Sequence, residues 1–298
     1  MTRPTRNDRP KRPATETAGT PADDHGPTFD PAAPPVQPTS EAIAAIEALG
    51  VACEPSELDA MARYLGYLRD ANTRFNMTAI VDAPSMWIRH IVDSLSLLPV
   101  IASADLDAVN TDSARGASEP RPAGGRVRIC DVGSGGGLPG IPLAIALPDM
   151  EVVLLEATGK KVRFLREVAA ALGLANVAVV QARAEDAGQD RTHHRERYDL
   201  VVSRAVGHLA MLVELTVPLA RVGGYVLAVK GERADQEIAE GKAALHALHA
   251  HVLEPIRTAT GTIVPIQKMR TSPRTYPRRA GEPKRDPIGG ASFRSRAE

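Results

Sequence analysis

The run Ile129-Cys130-Asp131-Val132-Gly133-Ser134-Gly135-Gly136-Gly137-Leu138-Pro139-Gly140 sets an acid and a glycine cluster at the end of an apolar stretch. Gly133 and Gly135 let backbone come close to a ligand, so strand, glycine turn and helix in that order make a nucleotide-type cofactor cradle. A second apolar run, Val152-Val153-Leu154-Leu155, ends at Glu156, where a carboxylate can accept both hydroxyls of a ribose. A third ends in Gln181-Ala182-Arg183-Ala184-Glu185-Asp186. Ala184 leaves room for a cofactor's base, and Glu185 can read its edge. A fourth ends in Ser203-Arg204-Ala205-Val206, which offers a cation and no strong nucleophile. All four sites fall at strand carboxyl ends, where open α/β sheets bind their ligands.

The spacing narrows the ligand. A dinucleotide fingerprint needs a third glycine where Leu138 stands, which argues against NAD or FAD, and no phosphate loop of the G-x-x-x-x-G-K-[ST] type is present. Acid-x-Gly-x-Gly-x-Gly, Asp131 to Gly137, instead resembles the first motif of class I S-adenosylmethionine (SAM) methyltransferases. An acid just ahead of the loop suits the cationic end of that cofactor better than a phosphate.

The fourth strand end constrains the reaction. It lacks the Pro-Pro-aromatic run of adenine and cytosine amino-methyltransferases, and neither Cys53 nor Cys130 is placed as the nucleophile that cytosine-C5 chemistry requires. Guanine N7 fits what remains, because it has a lone pair and no proton to lose. Alignment and exclusion of water then suffice. Arg204 is the residue expected to position the reactants, through the cofactor carboxylate, a base, or both. The alternative is a strand-end salt bridge.

The elements that must hold these residues can be read from periodicity. Strands are expected at 127–132, 151–156, 177–182, 198–203 and 224–230, with helices at 139–147, 159–173, 208–220 and 233–250. Two further strands are expected at 252–259 and 262–269. This alternation predicts a mostly parallel sheet covered by helices on both faces, a Rossmann-like α/β fold over residues 126–270. Residues 39–102 read as a helical N-terminal region, with helices from Glu41, from Pro55 and over 84–98. Residues 1–38, rich in Pro, Thr, Ala and charge, read as a disordered arm. Residues 103–125 read as an inserted surface loop, and 271–298 as a flexible basic tail.

Composition sets bounds. Over 298 residues the formal charge is zero, but residues 268–298 carry nine basic and three acidic groups. Any polyanion contact is therefore expected to be local. No apolar run reaches the ~20 residues of a membrane helix, and the first residues lack the apolar core of a secretory signal. Two isolated cysteines argue against a disulfide scaffold or a zinc ribbon, so a reducing cytoplasm is the expected compartment. Nothing suggests an obligate dimer, and a monomer is expected.

Taken with Arg74-Phe75-Asn76-Met77-Thr78, Arg89-His90-Ile91-Val92-Asp93-Ser94, Gly159-Lys160-Lys161-Val162-Arg163-Phe164-Leu165 and Lys230-Gly231, the chain resembles the ribosomal small subunit methyltransferase G family, also called glucose-inhibited division protein B. The resemblance covers Ile43 to Gly231. It implies SAM-dependent N7-methylation of one guanine near the decoding site of 16S rRNA, as free RNA or in the 30S subunit. It places cofactor contacts on Gly133, Leu138, Glu156, Ala184, Glu185 and Arg204.

Arg89 and Asp93, four residues apart, are expected to pair on one helix face. Lys160, Lys161, Arg163 and Arg166 on one helix, with Arg278 and Arg279 in the tail, are the candidate RNA contacts. Two other readings remain at this level, since a fold alone fixes no substrate. One is a SAM methyltransferase for a small molecule or another RNA. The other is a non-catalytic SAM- or RNA-binding module, against which the intact cofactor loop counts.

Overall fold

The computed structural model describes residues 26–103 and 126–290. The expected insertion, apart from Ser103, and most of the expected N-terminal arm lie outside those residues. Helices α1 (Ser40–Ala48) and α2 (Pro55–Asn72) open the described chain. Thr39 caps α1, its side chain accepting the Ala42 N–H. At the N-terminus of α2 the Glu57 carboxylate accepts the Glu54 backbone N–H at 2.8 Å. The third expected helix is segmented: α3 (Ala83–Met86), a π-helical turn (Trp87–Val92), α4 (Asp93–Leu95) and α5 (Leu97–Ser103). A π-helical turn rotates its residues out of the ordinary α-helical register, and such turns gather at functional sites.

The remainder alternates as expected: β1 (Arg128–Val132), α6 (Gly140–Ala146), β2 (Glu151–Glu156), α7 (Gly159–Ala171), β3 (Val177–Gln181), α8 (Ala184–Gln189), β4 (Tyr198–Arg204), α9 (Leu209–Thr216) and β5 (Ala220–Lys230). The single helix expected at 233–250 is broken at Gly241 into α10 (Ala234–Glu240) and α11 (Lys242–Ala247). The strand expected at 252–259 is two short ones, β6 (Ala250–Val252) and β7 (Ile256–Arg257), flanking Pro255, which cannot donate to a ladder. Both run along the outer edge of β8 (Thr262–Lys268), and α12 (Glu282–Arg285) follows.

The sheet order is β3-β2-β1-β4-β5-β8-β6, with β7 also on β8. The first five strands are mutually parallel, and β8 runs antiparallel to its neighbours. This is the mostly parallel, Rossmann-like α/β architecture that the alternation predicts. Side chains of alternating strand positions build two cores. Ile129, Val152, Leu154, Leu200 and Val202 join α1, α2, α6 and α7 in one. Cys130, Val132, Val153, Val201 and Val226 join α9, α10 and α11 in the other. The N-terminal helices share the first core with the sheet and so form one face of the body.

Two expectations of disorder are corrected. In the N-terminal arm, residues from Gly26 onward are described, and Thr28, Phe29 and Val36 are buried. Phe29 stacks on Tyr67 at 4.4 Å and meets the Phe164 ring edge-on at 5.8 Å. Glu167 accepts the Thr28 N–H at 2.7 Å, and the Trp87 indole donates to the Val36 carbonyl at 2.8 Å. Few but well-spaced apolar residues offset the ordering entropy that composition alone suggested would win. Phe29→Ala should therefore cost about 3 kcal/mol in chemical denaturation, and an unchanged midpoint would show the arm to be unpacked. The second correction concerns the tail as far as residue 290, where Ser272, Pro277 and Pro283 are buried and the chain is held by side-chain bonds described below; its last eight residues, 291–298, lie outside the described ones.

Candidate cofactor and substrate site

Parallel order brings the carboxyl ends of β4, β1, β2 and β3 side by side, and the expected cofactor residues lie along that edge. Gly133, Gly135 and Gly137 have φ of +72°, +59° and +101°, the left-handed region that glycine adopts freely. A Cβ at Gly133 would stand 2.9 Å from the Val206 side chain, so this glycine lets β1 and β4 ends approach. At Gly135 a Cβ would meet only the Gly133 carbonyl, at 3.7 Å, and would otherwise fill the mouth of the cradle. Glu156 accepts the N–H of Gly135 at 3.0 Å and of Thr158 at 2.8 Å, which orients its carboxylate beside the loop. Leu138 is buried below it. Ala184 and Glu185 open α8 beyond β3, and β2 pairs with β3 so that Glu156 stands opposite Gln181.

Asp131 lies beneath the loop, fully buried. Its Oδ2 accepts the Gly140 N–H at 3.0 Å, while Oδ1 has no hydrogen-bond partner. Burial pushes the carboxyl up to about 7, against the opposing bond from Gly140. An orphaned acidic oxygen under a glycine cradle calls for positive charge above it, and with the ribose-type carboxylate of Glu156 it fits a cofactor that is cationic at one end and a nucleoside at the other. Gly140 fills the close-packing role that Leu138 could not, since a Cβ there would lie 2.2 Å from Leu154 Cδ2. Sequence reasoning missed Tyr64 of α2, whose hydroxyl donates to the Gly136 carbonyl at 2.8 Å and clamps the loop from the helical face. No local pattern marks a contact across 72 positions.

Arg204 sits at the end of β4, followed by Ala205 at φ +59°, a strained conformation for a non-glycine residue. The expected Arg89–Asp93 pair is replaced. Arg204 Nη1 donates to Asp93 Oδ2 at 3.0 Å and to the Arg89 carbonyl at 2.6 Å. The Thr260 hydroxyl donates to the other Asp93 oxygen. The π-helical turn presents Asp93 to the sheet rather than along its own helix. The strand-end salt bridge therefore exists, and it anchors Arg204 rather than spending it. Its other two guanidinium nitrogens make no bond among the described residues.

A cleft of about 330 Å³ opens here, lined among others by Arg89, His90, Asp93, Arg204, Lys230 and Thr260. It adjoins a second, of about 710 Å³, with which it shares Arg89, Gly231 and Thr260. Neither cysteine lines it. Cys130 is buried in the sheet, where burial pushes its thiol up. Lys230 is fixed by Glu237 and the Gly207 carbonyl, both at 2.6 Å.

His90 is buried, with Nε2 on the Thr78 hydroxyl at 3.0 Å and Nδ1 unpartnered. Burial, then the Arg204 charge, push it down from 6.5 to about 4. A folded-state value below the unfolded one means that unfolding takes up a proton. The stability present at neutral pH is thus lost as pH falls from 6.5 through about 4. His90→Gln should flatten that decline in denaturation series across the window, and identical acid slopes would remove His90 as the titrating group.

The candidate RNA residues are not brought together. Lys160 and Arg166 are exposed on α7, Lys161 and Arg163 are half-buried there, and α7 packs on the first core. Lys160 Nζ stands 5.8 Å from the Phe75 ring centroid, and Arg163 faces Glu167 at 3.7 Å. Arg279 is exposed, between Tyr276 and Ile288, which pack on the second core across the sheet from α7. Arg278, half-buried, forks its guanidinium onto the fully buried Glu214 at 2.6 and 2.9 Å. His194 bonds Tyr198 and His193 bonds Asp190, and no metal-binding cluster occurs among the described residues. Nor is any helix among them long and apolar enough to cross a membrane.

The chain is similar to known proteins of one family. Residues 57–261 match the family model described as rRNA small subunit methyltransferase G. The ribosomal RNA small subunit methyltransferase G of Sorangium cellulosum (strain So ce56) is 40% identical over 259 residues, covering 87% of this chain and 100% of the relative. That of Roseiflexus castenholzii (strain DSM 13941 / HLO8) is 38% identical over 244 residues, 80% of this chain and 95% of the relative. That of Lactobacillus johnsonii (strain CNCM I-12250 / La1 / NCC 533) is 35% identical over 234 residues, 76% and 90%.

Proposed function

The chain belongs to the rRNA small subunit methyltransferase G family, and on that premise we propose that it transfers a methyl group from SAM to N7 of one guanine in 16S rRNA. The observation that carries the chemistry is the make-up of the cleft at the β4 end. It offers an anchored guanidinium and a carboxylate but no cysteine, which suits an acceptor that attacks with its own lone pair. SAM, when bound, supplies a methyl group already activated on a sulfonium.

The chain's residues bind and orient. Gly133, Gly135 and Leu138 shape the cradle, Glu156 receives the ribose side, and Ala184 and Glu185 flank the adenine. Arg204, held by Asp93 and the Arg89 carbonyl, presents its remaining donors to the cofactor carboxylate or the guanine. Holding the two reactants in line is the main catalytic contribution such a site can make. A single-stranded guanine, or one extruded from its stack, enters the cleft. Lys160, Lys161 and Arg166 of α7 receive phosphates, a contact that weakens as salt rises. The work is done in the cytoplasm, on free 16S rRNA or on the 30S subunit, by a monomer.

The test is incorporation from labelled SAM, offered in parallel with total rRNA and a small-molecule extract from cells lacking this gene. Label in 16S rRNA alone supports the reading. Label confined to the extract replaces it with a small-molecule methyltransferase.

A further inference from the structure

The segment Ser272–Gly281, which follows β8, is fastened to the elements behind the cofactor's adenine end. We propose that it is a fixed wall of that pocket and that Arg278 is the positioning residue that holds it. This rests on the SAM reading above. Glu214 on α9, fully buried, accepts the Arg278 backbone N–H at 2.8 Å as well as its guanidinium. Arg195 donates to four carbonyls, those of Gly188, Tyr276, Ser272 and Pro273, at 2.7 to 3.1 Å. Gln189 donates to the Pro277 carbonyl. A Cβ at Gly188 would lie 2.6 Å from Pro277 Cγ, so the segment seats on α8 only because that residue is glycine.

The far end of the segment reaches the pocket. Gly281, at φ +82°, donates its N–H to Glu185 Oε1 at 2.8 Å. Glu185 adjoins Ala184 at the carboxyl end of β3, the strand beside the one that ends in Glu156. One carboxylate oxygen is therefore taken by the segment, and the other makes no bond among the described residues. The segment thus fixes the direction in which Glu185 presents its remaining acceptor to an amino-purine edge. An arginine fork on the buried Glu214 holds the segment, and a backbone N–H three residues further on bonds Glu185.

Arg278→Ala should raise the KM for SAM roughly ten-fold, the scale of one charge-assisted hydrogen bond, with kcat, the KM for RNA and its salt dependence unchanged. Glu185→Gln should produce a similar rise, and the double variant no further one, because both act on the same contact. Arg278→Ala strands the buried Glu214 carboxylate, so Arg278→Leu combined with Glu214→Leu removes both charges and keeps the test open if the single variant fails to fold. Its SAM affinity by calorimetry should fall to the same degree. Wild-type affinity in a folded double variant overturns the proposal while leaving the SAM reading intact. A shift in RNA KM and salt slope instead makes Arg278 an RNA contact and also overturns it. Wild-type protein that binds no SAM overturns the cofactor reading and this proposal together.

Discussion

Arg204→Ala lowers kcat by roughly a hundred-fold or more, the cost of misplacing one reactant by about an ångström. It also destabilises the fold, because Asp93, whose side chain is 8% exposed, then keeps only the Thr260 hydroxyl and the buried carboxylate loses its charge partner. That loss is worth about 3 kcal/mol for an ion pair this enclosed. Arg204→Lys separates the two effects. A lysine ammonium can restore the charge beside Asp93, yet it cannot bond the Asp93 carboxylate and the Arg89 carbonyl while presenting a planar fork to a ligand. Denaturation midpoints near wild type with turnover still depressed are the expected result. Full turnover in Arg204→Ala would show that the reacting centre lies elsewhere.

Gly140→Ala removes cofactor binding through packing alone. The added Cβ overlaps Leu154 Cδ2 at 2.2 Å and Asp131 Oδ2 at 2.7 Å, both in fully buried side chains. Separating α6 from β1 breaks the Gly140–Asp131 hydrogen bond and shifts the loop that α6 terminates. Overpacking of this kind costs about 1–3 kcal/mol, and the loss of the acidic support beneath the cradle should push SAM affinity beyond the reach of calorimetry. A variant that binds SAM normally would show that helix and strand can part without moving the loop.

The cradle was legible because its signals are local. An apolar run, an acid, glycines at fixed offsets and a proline near the helix start occupy twelve consecutive positions, from Ile129 to Gly140. Glu156 and Arg204 were legible because a strand's last residue lies at the ligand edge of any parallel sheet. What escaped depends on long-range contact. Asp93 prefers Arg204, 111 positions away, over Arg89 on its own helix, because the π-helical turn re-aims it. Tyr64 reaches the loop from another element. Arg278 looks like one of several arginines suited to RNA, and its fork onto the buried Glu214, 64 positions away, leaves no local signal. Phe29 and Val36 were diluted among prolines and alanines, so average composition masked two residues that pack. Pattern reports which groups an element presents, and tertiary contact decides whether they are already engaged.

The most direct test of the central claim maps the methylated atom. Purified protein, SAM, and 16S rRNA from cells lacking this gene are incubated as free RNA and as 30S subunits, followed by borohydride–aniline cleavage and primer extension. One strong stop in a single loop near the decoding site, dependent on SAM and absent with Arg204→Ala, is the predicted result. The preferred substrate form then gives the stage of assembly. Methyl incorporation into 16S rRNA without any cleavage would contradict the assignment to guanine N7, and no incorporation by a protein that binds SAM would contradict the rRNA acceptor itself.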